Sequence, residues 1–182
     1  MSSKQKAQRQ LGFTVLKKSI VVNHLRTSVK MDKKFRIPNI KMTMKYKTRV
    51  PKEELYHITS IEDAYNAFME VFNADNVDWF EEAFILCLNR CNKVIGSYKI
   101  SQGGISGTIM DPKIIFGVAL TCQSSAIIVA HNHPSGNLKP SNSDTALTNK
   151  LKEAGKLLDI SVIDHLIISS EGFYSFAEAG KL

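Results

Sequence analysis

Cysteine is scarce in this chain and unhelpfully placed. There are three, Cys87, Cys91 and Cys122, an odd number with no C-x-x-C spacing. That argues against a disulfide framework of the secreted kind. The thiols are read as reduced, with Cys87 and Cys122 in apolar surroundings where cysteine serves as a small core residue. Long apolar runs are also missing: no stretch approaches the roughly 18 residues that a membrane span needs. The segment LGFTVLKKSIVVNHL (11–25) resembles a leader only superficially. Lys17 and Lys18 split it, and no small-residue cleavage site follows. The expectation is a cytoplasmic protein with no membrane partner.

Acidic side chains are nearly absent from residues 1–50, which hold 14 Lys or Arg and only Asp32. Residues 51–182 carry 10 basic and 16 acidic side chains, so the net charge of +7 belongs to the N-terminal region. A basic arm can neutralise phosphates and so bind nucleic acid. The plainer reading is a solvated tail, or an over-long N-terminus whose real start is Met31. Few aromatics interleave with these charges, which argues against a base-stacking platform. No internal repeat is visible. What remains, 43% hydrophobic and 23% charged over 182 residues, is one soluble globular domain with some extra chain at an end.

Residues 1–34 show little periodicity. IKMTMKYKTRV (40–50) alternates apolar and polar residues and predicts a half-buried strand near a sheet edge. Ser60 and Asp63 form a capping-box pattern, with Ile61, Ala64, Tyr65, Phe68, Val71 and Phe72 following at helical spacing. AFILCLN (83–89), the turn RCNK (90–93) and VIGSYKISQG (94–103) read as a hairpin. GGISG (103–107) is a flexible loop, and Asp111-Pro112 opens a helix to about Leu120. SAIIVAHN (125–132) reads as a strand covered on both faces. A helix over 144–158 turns Ala146, Leu147, Leu151, Ala154 and Leu158 inward. A strand at 161–169 and a short strand or turn at 172–180 complete an α/β sandwich with a mixed sheet.

The densest polar stretch is HNHPSGNLKPSNSD (131–144). Alternate residues of a strand share a face, so His131 and His133 project together and Asn132 projects away. Two imidazoles on one rigid edge can close on a single ion. Pro134 and Gly136 turn the chain, Ser141 or Ser143 caps the next helix, and Asp144 falls at or near its first turn. Two histidines and a carboxylate leave a tetrahedral zinc one open position, the arrangement of a catalytic site. Such a site needs a general base, and Glu81 and Glu82 are the upstream candidates; neighbours in a strand face opposite ways, so only one can serve. An amidohydrolase-type H-x-H would require a barrel of about 250 residues. A metallo-β-lactamase-type H-x-H-x-D-H is missing because Pro134-Ser135-Gly136 follows, and a nuclease of the HNH kind spreads its residues over a ββα-metal unit.

With His131-x-His133, Ser141 and Asp144 in that spacing, the sequence resembles the JAMM (MPN+) metalloproteases, and HNHPSG is similar to the bacterial RadC branch. The likeness runs from about Glu81 through FILCLNRCNKVIGSYKISQGGISGT, DPKIIF and LKEAGKLLDISVIDHLIIS to about Gly180, over half the chain. It implies a JAMM/MPN, cytidine-deaminase-like α/β sandwich with a mixed sheet flanked by helices over 51–182, behind a basic arm over 1–50. It also implies Zn2+ held by His131, His133 and Asp144, Glu81 as the base, and Ser141 as an oxyanion donor. The implied reaction is hydrolysis of a peptide or isopeptide bond in a peptide or protein substrate. A RadC-like protein associated with DNA repair or mobile elements and bound to nucleic acid through residues 1–50, and a metal-dependent nuclease, are the alternatives. The helix-hairpin-helix region of full-length RadC proteins is not recognisable, so a DNA link would rest on the arm. Asp164 and His165 match the family's Asp-His pair and are read as second-layer, substrate-facing or simply structural. Ser106 and Thr108 are candidates to line the cleft, and Trp79 is assigned to core or hairpin packing.

Overall fold

The computed structural model describes Pro38 and residues 45–72, 77–103 and 108–182. Residues 42–182 form one compact unit. Its centre is a five-stranded sheet, β1 (Glu82–Leu88), β2 (Val94–Gln102), β3 (Ala126–Asn132), β4 (Ser161–Ser169) and β5 (Gly172–Ser175), in the order β2-β1-β3-β4-β5. β1 runs antiparallel to β2 and β3, β3 and β4 are parallel, and β5 returns antiparallel to β4. β1 and β3 are buried along their whole length, as expected of strands covered on both faces.

Three helices cover the sheet. α1 (Ile61–Met69) begins at a capping box: Ser60 Oγ accepts from the Asp63 N–H at 3.1 Å, and Asp63 accepts from the Ser60 N–H at 2.9 Å. Its Phe68, with Phe72, packs on Phe84, Leu86, Ile128, Ala130, Leu166 and Ile168. α2 (Pro112–Thr121), capped by Asp111, and α3 (Asn142–Leu157) lie on the other face over Ile85, Cys87, Ile127 and Val129. The result is a mixed α/β sandwich with a five-stranded mixed sheet, consistent with a JAB/MPN fold.

Several details depart from the sequence reading. The expected strand over 40–50 lies, for residues 40–44, outside the described residues; residues 45–50 form no strand and are exposed. Ala146 of α3 and Leu158, its C-cap, are exposed, and the buried stripe is Thr148, Leu151 and Gly155, flanked by Leu147 and Ala154. Gly155 carries no apolar signal in the sequence because glycine has no side chain to bury. A Cβ there would meet the Ile160 carbonyl oxygen at 2.5 Å, so bare backbone is what lets α3 close on the start of β4. Trp79 is not packed: it is 69% exposed. Cys87 is buried, Cys122 is partly buried against the same core, and Cys91 is exposed. Among the described residues no helix is long and apolar enough to cross a membrane.

β4 carries an irregularity that matters below. Ile127 pairs with Val162 but Ile128 pairs with Asp164, so Ile163 is an extra residue in the ladder. Such a bulge shifts the alternation of side chains by one. Val162 and His165 consequently lie on the α2–α3 face, whereas strict alternation would separate them.

Candidate metal centre

Strand alternation brings the polar residues together. His131 ends the run Ile127, Val129, His131 on the α2–α3 face, and Ala83 is its partner across β1. Glu81, two residues before Ala83, reaches the same face. The ligating atoms of Glu81, His131 and His133 all lie within 4.8 Å of one another. Glu82 faces away: it is 1% exposed and its carboxylate accepts from Lys99 Nζ at 2.6 Å. Of the two glutamates, Glu81 is the one beside the histidines.

Asn132 also faces away and works as a staple. Its amide donates to the carbonyls of Val77 (2.6 Å) and Phe80 (2.7 Å), and its oxygen accepts from the Glu82 N–H (2.6 Å). These bonds hold the segment that carries Glu81 against the end of β3.

Asp144 comes from α3. Ser141 is the N-cap, and Asp144 is the third helical residue, so the two form a capping box. Asp144 Oδ2 accepts from the Ser141 N–H (2.7 Å) and hydroxyl (2.6 Å), while Ser141 Oγ accepts from the Asp144 N–H at 3.1 Å. The other oxygen, Oδ1, is left 3.4 Å from His131 Nε2. Ser143 is a hydroxyl neighbour of Ser141 at 2.7 Å.

Hydrogen-bond partners assign the ring protons. His133 Nδ1 lies 2.5 Å from the Asn137 carbonyl, which can only accept, so Nδ1 carries the proton and Nε2 a lone pair. Thr148 donates its single proton to the Asp144 carbonyl at 2.7 Å; its oxygen, also 2.7 Å from His165 Nδ1, must then accept from that ring. His165 Nε2 is therefore an acceptor for His131 Nδ1 at 3.0 Å, and His131 Nε2 is left with a lone pair. Two lone pairs thus face each other: His131 Nε2 and His133 Nε2 are 3.1 Å apart.

Burial is the main cause of the unusual titration here. It lowers His131 to about 4, with the Asp144 charge pulling the other way and His133 adding to the drop. The contact of His131 with Asp144 is accordingly not an ion pair at neutral pH. Burial, then His131 and His133, hold His165 well below the ordinary histidine range. Partial burial raises Glu81, against the lowering influence of His133 and with that of Asp144.

This donor set fits a divalent cation. His131 Nε2 lies 3.1 Å from His133 Nε2 and 3.4 Å from Asp144 Oδ1, while the side chains whose ligating atoms all fall within 4.8 Å of one another are Glu81, His131 and His133. Ligands around a tetrahedral ion with bonds near 2.1 Å are about 3.4 Å from one another. A positive charge between the nitrogens removes the repulsion of their lone pairs. Around it, the second ring nitrogens of both histidines are held by His165 and by a backbone carbonyl, as in other metal-binding histidines.

A protein-family model described as the RadC-like JAB domain matches residues 58–181. The chain belongs to this family. It is 41% identical over 127 residues to a UPF0758 protein of Flavobacterium johnsoniae, 39% over 142 residues to one of Porphyromonas gingivalis, and 42% over 127 residues to one of Alkaliphilus metalliredigens. Those matches cover 70, 76 and 70% of this chain and 54, 62 and 53% of the relatives. The chain thus spans between about half and three-fifths of the curated relatives it matches. The RadC-like JAB domain contains every residue of the candidate site.

The sequence points to His131, His133, Ser141 and Asp144 with either Glu81 or Glu82, and the fold brings Glu81, not Glu82, to the two histidines. Sequence reasoning missed Thr148, whose hydroxyl hides on a helix face read as apolar, and it left the role of His165 open. Asp164 is an internal brace: it accepts from Ser175 Oγ (2.5 Å), the Ala177 N–H (3.0 Å) and the His165 N–H (2.7 Å). Burial raises its pKa, against these bonds. Thr108 donates to Ser101 Oγ at 2.7 Å. Ser106 lies outside the described residues.

Proposed function

We propose that this domain is a zinc-dependent hydrolase of the JAMM type that cleaves an amide bond, peptide or isopeptide. The observation that carries the reading is the pair of inward lone pairs on His131 and His133 beside Asp144 Oδ1, with Glu81 within reach. The ion supplies Lewis acidity, which makes water a usable nucleophile near neutral pH and polarises a carbonyl.

The residues of the chain divide the remaining work. His131, His133 and Asp144 hold the ion. Glu81, half-buried and with its pKa raised by that burial, accepts a proton from the attacking water and returns it to the leaving amine. Ser141 donates to the oxygen on which charge develops. In the resting arrangement its hydroxyl donates to Asp144, so the proton must swing to the substrate; the Ser141 N–H keeps hold of the carboxylate meanwhile.

Metal analysis after purification without chelator, with a quenched-fluorescence peptide library as substrate, tests this reading. One zinc per chain is expected, lost in His131→Ala and in Asp144→Ala. Glu81→Gln should keep the zinc and lose about 100-fold or more of any hydrolysis found. A wild-type protein with substoichiometric metal would sink the reading.

A second reading rests on charge alone. The excess of basic side chains in residues 1–50 supports association with nucleic acid through phosphate contacts. Salt-dependent DNA binding that disappears on deleting residues 1–50 is its test; DNA cleavage lost in Glu81→Gln would instead indicate a metal-dependent nuclease.

A further inference from the structure

Outside the ligand set, the described residues hold one buried polar chain that ends at the site. It runs from the Asp144 carbonyl through Thr148 Oγ1 and His165 to His131 Nδ1, with links of 2.7, 2.7 and 3.0 Å. Each member is made unavailable for anything else. His165 is completely buried, and its ring stacks on Phe176 with centroids 4.8 Å apart and planes 8° apart. Thr148 is buried on the inner face of α3. No water is needed to complete the chain, and its direction follows from having one hydroxyl proton and one acceptor-only carbonyl at its end.

We infer that His165 and Thr148 are positioning residues that set the tautomer of His131, keeping its proton on Nδ1 and its Nε2 lone pair open for the ion. This deepens the metal reading above and rests on it. The relay also ties two ligands to each other. The carbonyl at its far end belongs to Asp144, so the helix that presents the carboxylate and the strand that presents His131 are joined through His165. If the hydroxyl is removed, the direction reverses. His165 Nδ1 then has no acceptor, its proton moves to Nε2 and is donated to His131 Nδ1. The proton of His131 is forced onto Nε2, where the ion should bind.

Replacing His165 itself would leave a hole beside Phe176 and confuse folding with positioning, so the test acts on Thr148. Thr148→Val keeps the shape and removes the hydroxyl; Thr148→Ser keeps the hydroxyl and removes a methyl. Zinc affinity is measured by competition with a chromophoric chelator, alongside the melting temperature of each metal-free protein. Thr148→Val should bind zinc about 10- to 100-fold more weakly than wild type. Thr148→Ser should stay within a few-fold, even where the two metal-free proteins melt alike. Long-range 1H–15N spectra of metal-free protein should show His165 protonated on Nδ1 in wild type and on Nε2 in Thr148→Val.

Equal zinc affinity in Thr148→Val and wild type overturns the inference. So does an equal loss in both variants, or a wild-type His165 protonated on Nε2. A wild-type protein that takes up no zinc overturns the metal reading separately. The relay is then decided by the His165 proton, which is read without metal.

Discussion

Between the two histidines, Asn132 turns its side chain the other way and clamps the turn before β1 with three hydrogen bonds. All three involve backbone groups of the segment that carries Glu81, so the residue fixes the position of Glu81 without touching its side chain. Asn132→Ala leaves one buried N–H and two carbonyls without their partner, at a cost of about 1–3 kcal/mol for an unsatisfied buried group. The expected outcome is a lower melting temperature and a fall in kcat with zinc content unchanged. Metal analysis and kinetics on the same preparation check it; loss of zinc in step with activity would contradict the assignment. That one letter of H-N-H stabilises a loop while its neighbours face the site follows from alternation, and was legible. Its three partners were not, because they are backbone groups distant in the chain.

At the scale of elements, the contact between α3 and β4 depends on Gly155. Glycine to alanine inside a helix ordinarily gains up to about 1 kcal/mol from propensity. Here the added methyl would lie 2.5 Å from the Ile160 carbonyl oxygen and 2.9 Å from Val162 Cγ2, and a backbone carbonyl cannot step aside as a side chain can. Gly155→Ala is therefore expected to destabilise by about 1–3 kcal/mol, lowering Tm by several degrees; a thermal melt giving an equal or higher Tm would contradict the packing argument. The helices and the hairpin could be read from the sequence because their signals are local: caps at Ser60, Asp111 and either Ser141 or Ser143, apolar periodicity, and turn residues after Asn89. The inner face of α3 could not. Thr148 points inward because a histidine needs its hydroxyl, and Gly155 because a strand needs the space. Neither is an apolar residue at helical spacing. Trp79 misled for the opposite reason, since its size suggested the core and the fold leaves it at the surface.

For the whole molecule, the buried histidines couple stability to pH. His131 is lowered to about 4 from an ordinary 6.5, and His165 lies well below the same value. Unfolded chain takes up protons at these positions below pH 6.5, whereas the fold refuses them. The stability of metal-free protein is thus complete above about pH 6.5 and falls as pH drops from there toward 4. The slope is about 1.4 kcal/mol per pH unit for each proton refused. Glu81 and Asp164, raised above their ordinary values, act in the opposite sense, gaining stability as pH falls through their raised values, and so offset part of that loss. Denaturant melts of metal-free protein at pH 7.5, 6.5, 5.5 and 4.5 should show little change over the first step and steep loss over the next two. A flat profile would mean that the histidines are solvated. The proposed ligands His131, His133 and Asp144 stand out in the sequence because a strand end, a turn and a helix start set their spacing within one short stretch. His165 arrives from another strand, and only the assembled sheet puts it behind His131.

The extra residue at Ile163 is what delivers it there. A strand is a two-beat pattern, and one added residue puts everything after it out of phase with everything before. In β4 the beat slips between Val162 and Asp164. Upstream of the slip the strand packs. Downstream, one beat turns His165 toward the ligands while its neighbours continue the core. A single irregularity of the backbone thus decides which face of the sheet His165 meets. Anyone counting alternate residues along SVIDHLIIS would assign His165 to the wrong face of the sheet.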